Sequence, residues 1–353
     1  MDQPTIDEKS RLLLNVLQDE IPLVDQPFAA LGAKIGLSEA DVLARLKELK
    51  ASGVVRQISA IFDTRSLGYH SSLVACKSPP GKTDEVAAII SAHPGVSHNY
   101  ARRHEFDIWF TIAVPPASNL EAHTEKLREL SGALSMRLLP TLRLFKIGMK
   151  LDMTAGKARE MGIEDDAPSY NEESRSGEKQ PLDAVDIACV EALQDDMELR
   201  TDFFAPAAQR VGITTAQLFE RCRSFQRDGR LRRMAGIMRH RQAGFAANAM
   251  GVWNVPPERV DELGAFFARH PAVTHCYLRP RYPDWPYNVF TMVHSKDVSS
   301  CDQLLSDLSH QSGITQYGAL YSYKEYKKVR LRYFTGEIEG WEKQNGLSAV
   351  SGQ

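Results

Sequence analysis

The opening of the chain alternates between short amphipathic segments and polar breaks. Apolar side chains recur at helical spacing within residues 6–20, and a second apolar segment at 28–34 is long enough for two helical turns. Ser38 has the side chain of a helix N-cap, so a third helix is predicted to begin there and to reach about Ser52. Residues 54–62 then read as a strand pair or wing. Three helices and an extended segment therefore open the chain.

The next part of the chain switches between strand and helix periodicity in the order β-α-β-β-α-β. The predicted elements are a strand at 70–77, a helix at 83–92, strands at 95–101 and 107–114, a helix at 118–131 and a strand at 136–147. This order is that of a ferredoxin-like unit. The predicted fold class is therefore α+β, with a helical domain followed by a ferredoxin-like domain.

The whole pattern occurs twice. LQDE at 17–20 returns as LQDD at 193–196, and HPGV at 93–96 returns as HPAV at 270–273. A repeat of this length is a duplicated domain pair. The predicted boundaries are helical domains at 6–62 and 182–238, ferredoxin-like domains at 63–152 and 239–334, a polar linker at 153–181, and a tail at 335–353 that drapes over a domain or frays.

Composition limits the class of protein. A net charge of −2 gives no overall bias towards nucleic acid. The N-terminal segment is acidic and unlike a signal peptide, and no apolar run is long enough to span a bilayer, so we expect a cytoplasmic protein without membrane contact. The five cysteines are scattered and never in CxxC spacing, which predicts neither disulfides nor a metal site.

The helical unit resembles the winged helix-turn-helix of the Lrp/AsnC regulators. GLS at 36–38 stands where that family opens its recognition helix, and GVVR at 53–56 follows the helix. The β-α-β-β-α-β order is also that of the Lrp/AsnC effector domain. The resemblance implies a tandem duplication of winged helix-turn-helix plus ferredoxin-like domains, in which two Lrp/AsnC-like protomers form a pseudo-dimer within one chain.

A transcriptional regulator is the first alternative for function. Against it, the predicted recognition helix begins with Glu39 and Asp41, where a DNA reader carries Arg, Asn or Gln. Fusion of two divergent copies also removes the twofold symmetry that DNA half-sites mirror. The second copy is more basic, with six arginines within 221–233, so DNA binding is weakened rather than excluded.

Two clusters of histidine, arginine and aromatic residues point to a different function. SHNYARRHEFDIWFT occupies 97–111, and HCYLRPRYPDWPYNVFTMVH occupies 275–294. Strand alternation predicts that the histidine and tyrosine of SHNY share one face, as do those of HCY. Guanidinium groups beside aromatic rings suit a flat ligand with several carboxylates, because the rings stack on the ligand while Arg and Lys bind its acids.

These motifs resemble the two subunits of siroheme decarboxylase, as SHNYxRxHxFxxWFT in the first half and HCYxRPxYPDWPYNVFTMVH with YSxKEYKK in the second. The resemblance covers nearly all of residues 6–334 outside the linker and is to the fused form found in heme d1 biosynthesis. It implies removal of the C12 and C18 acetate carboxyls of siroheme, giving 12,18-didecarboxysiroheme for heme d1 or an alternative heme. One departure is Phe106-Asp107, where the second half has Tyr287-Asn288.

Loss of carbon dioxide from an acetate on a pyrrole needs an electron sink, and without an organic cofactor the ring itself must serve. We expect an imidazolium to protonate the ring carbon beside the acetate, since histidine titrates near neutral pH. His98 and His104 are the first candidates for this acid, and His275 is the next. His98 and His275 also fit paired structural residues, whereas His104 has no counterpart in the second half.

Basic and aromatic residues of both halves are candidates for holding the macrocycle. They are Arg56, Tyr100, Arg102, Arg103, Trp109, Arg232, Arg233, Tyr277, Arg279, Arg281, Tyr287, Lys324 and Lys328. The alternatives are solvated charges for the basic residues, core packing for the rings, and a phosphate-binding wing for the arginines at 232–241.

The predicted partners are siroheme, which brings its own iron, and the other half of the chain. We expect no other cofactor and no protein-bound metal, while a further homo-oligomer stays open. A heme-binding sensor without catalysis is the remaining alternative, and it would need an axial ligand to the iron rather than a proton donor beside an acetate.

Overall fold

The computed structural model describes residues 6–147, 150–152, 159–161, 180–238, 247–295 and 297–347. Each half begins with three helices, which are α1 (Glu8–Asp19), α2 (Pro27–Ile35) and α3 (Glu39–Ala51) in the first half and α6 (Ala184–Leu193), α7 (Ala205–Val211) and α8 (Thr215–Arg227) in the second. The Ser38 side chain accepts a hydrogen bond from the backbone N–H of Asp41, and Ser52 is the C-cap of α3. Both predicted ends of this helix are confirmed.

Each half continues with a ferredoxin-like unit. The first contains β2 (His70–Lys77), α4 (Thr83–Ala92), β3 (Val96–Arg102), β4 (Ile108–Val114), α5 (Leu120–Ser131) and β5 (Ser135–Leu139). The second contains β10 (Ala247–Trp253), α9 (Val260–Arg269), β11 (Val273–Leu278), β12 (Val289–Ser295), α10 (Val298–Ser312) and β13 (Tyr317–Leu320). The predicted β-α-β-β-α-β order is confirmed in both halves.

Two strands join the helical domains of the two halves. β1 (Val55–Phe62) and β9 (Leu231–Met238) form an antiparallel sheet of two strands. The sequence predicted a strand pair or wing within 54–62, but that segment is one strand, and its partner comes from the other half. Side chains of both helical domains share one buried core around these strands, so the predicted pseudo-dimer within the chain is present.

The two larger sheets exchange their last strands, β6 (Arg143–Ile147) and β14 (Ser322–Lys328). The strand order is β14-β3-β4-β2-β5 in the first sheet and β13-β10-β12-β11-β6 in the second. The single strand predicted at 136–147 is wrong, because the segment divides at Pro140 into β5 and β6. Proline has no N–H to continue a ladder. Because each sheet takes an edge strand from the other half, a site on either sheet contains residues of both halves.

The sheets turn their uncovered faces towards each other. Helices α4 and α5 cover the outer face of the first sheet, and α9 and α10 cover that of the second. Between the opposite faces, which we call the inner faces, lies a buried cluster of apolar residues from both halves that includes Phe106, Trp109, Trp285 and Phe290. The Trp109 and Trp285 rings meet with centroids 5.1 Å apart. This cluster fixes how the two inner faces are presented.

Three features complete the described chain. Helix α11 (Glu337–Gln344) forms within the predicted tail and contacts the first half, where Glu342 is hydrogen-bonded to His123. The short strands β7 (Lys150–Asp152) and β8 (Arg159–Met161) pair, and β8 falls within the predicted linker. Among the described residues no helix is long and apolar enough to cross a membrane. The five cysteines are buried and free.

Candidate active site

The first polar cluster lies on the inner face of the first sheet. Strand alternation brings His98 and Tyr100 to this face, with ring centroids 6.3 Å apart and nearly parallel planes. Asn99 points to the outer face instead and donates to the carbonyl of Ala87 in α4 at 3.1 Å. The Nδ1 atom of His98 is 3.0 Å from the Ser97 hydroxyl, which leaves Nε2 as the nitrogen available for proton transfer.

Strand β14, contributed by the second half, carries charged groups to this inner face. Its register with β3 shifts at two points. Side chains of β14 that share a face are therefore three positions apart along the chain instead of the usual two. Glu325 consequently stands opposite Tyr100, and Lys328 stands opposite His98. Both charged side chains are exposed to solvent, so this end of the inner face is open to a ligand.

The same bulges turn two other lysines away from the cluster. Lys324 faces α4 and forms an ion pair with Asp84 at 2.8 Å. Lys327 also faces α4 and donates to the carbonyls of Ser91 and His93 at 2.7 and 3.0 Å. Lys324, predicted to bind substrate together with Lys328, therefore lies across the sheet from His98.

The pKa of His98 is lowered overall, although the charged groups around it act in opposite directions. Burial lowers the pKa of this imidazole, and the nearby Lys328 and Arg56 cations lower that pKa further, whereas the Glu325 carboxylate raises it. Burial and the same carboxylate raise the pKa of Tyr100 to about 12, so Tyr100 stays a neutral phenol. The first cluster thus places two cations suited to carboxylate groups around a titratable imidazole.

The second cluster repeats the histidine-tyrosine pair on β11. The His275 and Tyr277 rings are 6.1 Å apart and nearly parallel. The Nδ1 atom of His275 is 2.9 Å from the Thr274 hydroxyl. Burial lowers the pKa of His275 to about 4, and the basic groups of His294 and Lys146 contribute in the same direction. His275 is therefore a neutral imidazole at neutral pH.

Arg102 and Arg279 bridge the two halves next to these clusters. Arg102 donates from Nη1 to the carbonyl of Leu320 at 2.6 Å, and Arg279 donates to the carbonyl of Leu139. Burial lowers the pKa of each guanidinium to about 10, so both stay charged at neutral pH. Among the described residues neither Nε has a hydrogen-bond partner. Each arginine therefore fastens the other half and keeps one buried N–H without a partner among the described residues.

His104 lies away from both clusters. Its Nδ1 accepts the backbone N–H of Phe106 at 3.0 Å, and its ring meets Trp285 edge-on at 5.4 Å. The four steps along the strand from His98 to Arg102 alone cover about 13 Å, and His104 lies beyond Arg102. The structure therefore does not bring the two first-choice histidines together. Packing against the other half explains why His104 has no duplicate.

The remaining aromatic candidates lie in or beside the core between the sheets. Trp109 is 1% exposed, and its indole N–H donates to the carbonyl of Phe106 at 2.8 Å. Tyr287 contacts Trp285, with ring centroids 5.1 Å apart. The structure thus gives Trp109 the packing role that the sequence left open as an alternative.

The remaining arginines occupy three separate places. Arg103 is exposed in the loop after β3, and Arg281 donates to the carbonyl of Val255. Arg232 on β9 forms an ion pair with the buried carboxylate of Asp63 at 2.7 Å, and Arg233 follows it on the same strand. The further wing arginines at 239 and 241 lie outside the described residues.

Comparison with known proteins agrees with this architecture. The chain matches the families described as AsnC-like ligand binding domain, over residues 66–146 and 242–327, and Siroheme decarboxylase NirDL-like HTH domain, over 10–56. It is 36% identical to the siroheme decarboxylase of Hydrogenobacter thermophilus over 94% of this chain and 97% of that protein. The chain belongs to the siroheme decarboxylase family.

Two further relatives of the family inform the site and the pairing of the halves. The crystal structure of the siroheme decarboxylase NirDL in co-complex with an iron-uroporphyrin III analogue has a TM-score of 0.77 and 32% identity, covering 96% of this chain and 98% of that one. The siroheme decarboxylase beta subunit of Methanosarcina barkeri is 40% identical over 43% of this chain and 99% of its own length. One half of this chain therefore corresponds to a whole subunit in some family members.

The departure from the family motif at Phe106-Asp107 has a structural explanation. The Asp107 carboxylate accepts hydrogen bonds from the backbone N–H of Ser78 at 2.9 Å and from the Thr83 hydroxyl at 2.7 Å. In the second half, the Asn288 side chain accepts the backbone N–H of Val255 at 2.9 Å. Both side chains fasten the segment that leads into the first helix of the ferredoxin-like unit. Asp107 and Asn288 therefore have the same structural role in the two halves.

Two residues beside the clusters were missed by the sequence prediction. Glu325 lies within KEYKK and His294 ends the TMVH motif, so both stood in the segments that resemble the family. Simple alternation places Lys324 rather than Glu325 beside Lys328, because bulges leave no clear mark in a single sequence. His294 stands at the end of its motif, but the motif alone gave it no role.

Proposed function

We propose that the chain removes the C12 and C18 acetate carboxyls of siroheme as carbon dioxide at the first cluster, giving 12,18-didecarboxysiroheme. The observation that carries this proposal is the position of His98 on the inner face, opposite Lys328 and under the influence of the Arg56 charge, which sets a proton donor near cations that bind carboxylates. Tyr100 adds an aromatic ring beside the imidazole. The iron-porphyrin complex of a relative supports a macrocycle as the ligand.

The reaction replaces the C–C bond to each carboxylate by a C–H bond. The His98 imidazolium protonates the ring carbon beside the acetate, and cleavage of the C–C bond releases carbon dioxide while its electron pair enters the ring. A second proton converts the resulting exocyclic methylene into a methyl group, and the ring proton returns to His98. One proton is consumed for each carbon dioxide released. Electrons balance without an external oxidant or reductant, so we propose no additional cofactor.

The basic residues orient the substrate for this step. Arg56 and Lys328 would hold the propionates and the remaining acetates, so that one acetate stands out of the ring plane beside His98. Partial burial around His98 weakens the solvation of the carboxylate that is lost. The pKa of both imidazoles is lowered, but the Glu325 carboxylate raises that of His98 while the groups that act on His275 are basic, so we assign the proton donor to His98.

DNA binding is not part of the proposed function. Arg45 of α3 is paired with Asp7 at 2.7 Å, and the equivalent Arg221 of α8 is paired with Asp183 at 2.7 Å. A cation already paired on its own domain contributes less to binding phosphate. We propose that the helical domains serve to hold the two halves together as one pseudo-dimer.

Anaerobic incubation of the purified chain with siroheme tests the function. We expect mass spectrometry to show loss of one and then two molecules of carbon dioxide. Tight binding of siroheme without any loss of mass would refute decarboxylation and favour a heme-binding sensor.

A further inference from the structure

Glu325 is an acid at a site proposed to bind a substrate with many carboxylates. The two bulges of β14 turn its side chain to the inner face, opposite Tyr100 and next to the pair formed by Lys328 and His98. Its carboxylate acts on His98 against the two cations. An acid here repels the substrate, so it needs a role other than substrate binding.

The second cluster reproduces the histidine and the tyrosine but not this acid. There the exchanged strand is β6, and Leu144 stands opposite Tyr277 where Glu325 stands opposite Tyr100. The groups that act on His275 are basic. The exchanged strand therefore places Glu325 and Lys328 opposite the first histidine-tyrosine pair, and Leu144 and Ile147 opposite the second.

We propose that Glu325 is a positioning residue for the decarboxylation, which holds the charge of the His98 imidazolium and so makes His98, rather than His275, the proton donor. This inference rests on the proposed function. It requires no contact between Glu325 and the substrate, because the acid acts through His98.

The need for such an acid follows from the cations around His98. Arg56 lies on β1, Lys328 lies on β14, and Arg330 binds the Ser59 hydroxyl of β1 at 2.7 Å close to Arg56. Arg56 and Lys328 suit the carboxylates of the substrate, but they also oppose a proton on the imidazole. Glu325 is the carboxylate that offsets them from the same face, so it allows one site to bind anions and donate a proton.

The test is the pH dependence of kcat/KM for siroheme in Glu325→Gln, which removes the charge and keeps the size. Because His98 must be protonated to act, kcat/KM falls above its pKa. Loss of the carboxylate lowers that pKa, so the falling limb moves to lower pH. Glu325 is exposed, so we expect a shift of about half a unit at low salt, or roughly a threefold loss on the falling limb. Siroheme affinity, followed by absorbance, should stay the same or increase.

Two variants separate this role from a structural one. Glu325→Asp keeps the charge, so the falling limb of its pH profile should lie at the wild-type pH. Lys324→Gln changes the same strand on its outer face and should keep the wild-type profile. A falling limb in Glu325→Gln at the wild-type pH, or a loss of affinity alone, would overturn the inference. Absence of turnover in the wild-type chain would instead reject the proposed function.

Discussion

Two buried histidines and a glutamate fasten helix α11 to the first half. His93 accepts the Gly95 N–H through Nδ1 at 3.0 Å, so its own proton is on Nε2, 2.9 Å from Nδ1 of His123. His123 then carries its proton on Nε2 and donates it to the Glu342 carboxylate at 2.8 Å. This order of donors and acceptors requires both imidazoles to be neutral and Glu342 to offer an acceptor oxygen. Burial lowers the pKa of His93 to about 3, in agreement with a neutral imidazole at this position.

Replacing His123 by alanine should release this helix. His123 is 1% exposed and Glu342 is 6% exposed, so the substitution leaves a buried carboxylate without its donor and removes the ring that stacks on Trp341. Leaving a buried acceptor without its donor costs about 1–3 kcal/mol, and more when the acceptor is charged, so we expect a loss of about 3 kcal/mol even if the short helix undocks. Because α11 follows β14, the strand that carries Glu325 and Lys328 should loosen with it.

Urea unfolding at pH 7 and hydrogen exchange of peptides covering residues 337–347 measure both effects. Glu342→Gln is the matched control, because its amide oxygen still accepts from His123, and it should cost less than about 1 kcal/mol. If His123→Ala lost under about 0.5 kcal/mol and α11 kept its protection from exchange, the argued contribution of this buried chain of hydrogen bonds would be refuted.

Three further predictions follow from other parts of the molecule. His104→Ala should keep decarboxylase activity and lose about 1–2 kcal/mol of unfolding free energy, since it removes one hydrogen bond and a ring contact; an inactive variant of normal stability would contradict this. The free energy of unfolding should fall as pH drops from 6.5 towards 4, since the pKa of His275 is depressed to about 4 and the unfolded chain binds its proton first; an equally steep fall in His275→Gln would disprove the assignment. Random duplex DNA should show no saturable binding in fluorescence anisotropy. Salt-dependent binding would support a transcriptional regulator instead.

Local features of the fold were predictable because their causes are local. The Ser38 cap and the strand at 70–77 depend on neighbouring residues, and the structure places both as predicted. The pairing of His98 with Tyr100 on one face follows from strand alternation alone. Predicting these elements required no knowledge of the partner strands.

Features that depend on distant partners were not predictable from one sequence. The exchange of β6 and β14 pairs segments far apart in the chain, and the pattern of 136–147 contains no sign of which sheet each strand joins. The bulges that bring Glu325 rather than Lys324 to the inner face depend on the register of β14 with β3. His104 stood out because it lacked a duplicate, but its neighbour Trp285 comes from the other half.

The most direct test of the account compares His98→Ala with His275→Ala in single-turnover reactions with siroheme, with bound substrate measured in both. The account predicts that His98→Ala binds siroheme but loses at least about a hundredfold in rate, as expected for a missing general acid. It predicts that His275→Ala still releases carbon dioxide from both acetates. Full activity in His98→Ala, or loss of turnover only in His275→Ala, would contradict the assignment of the reaction to the first cluster.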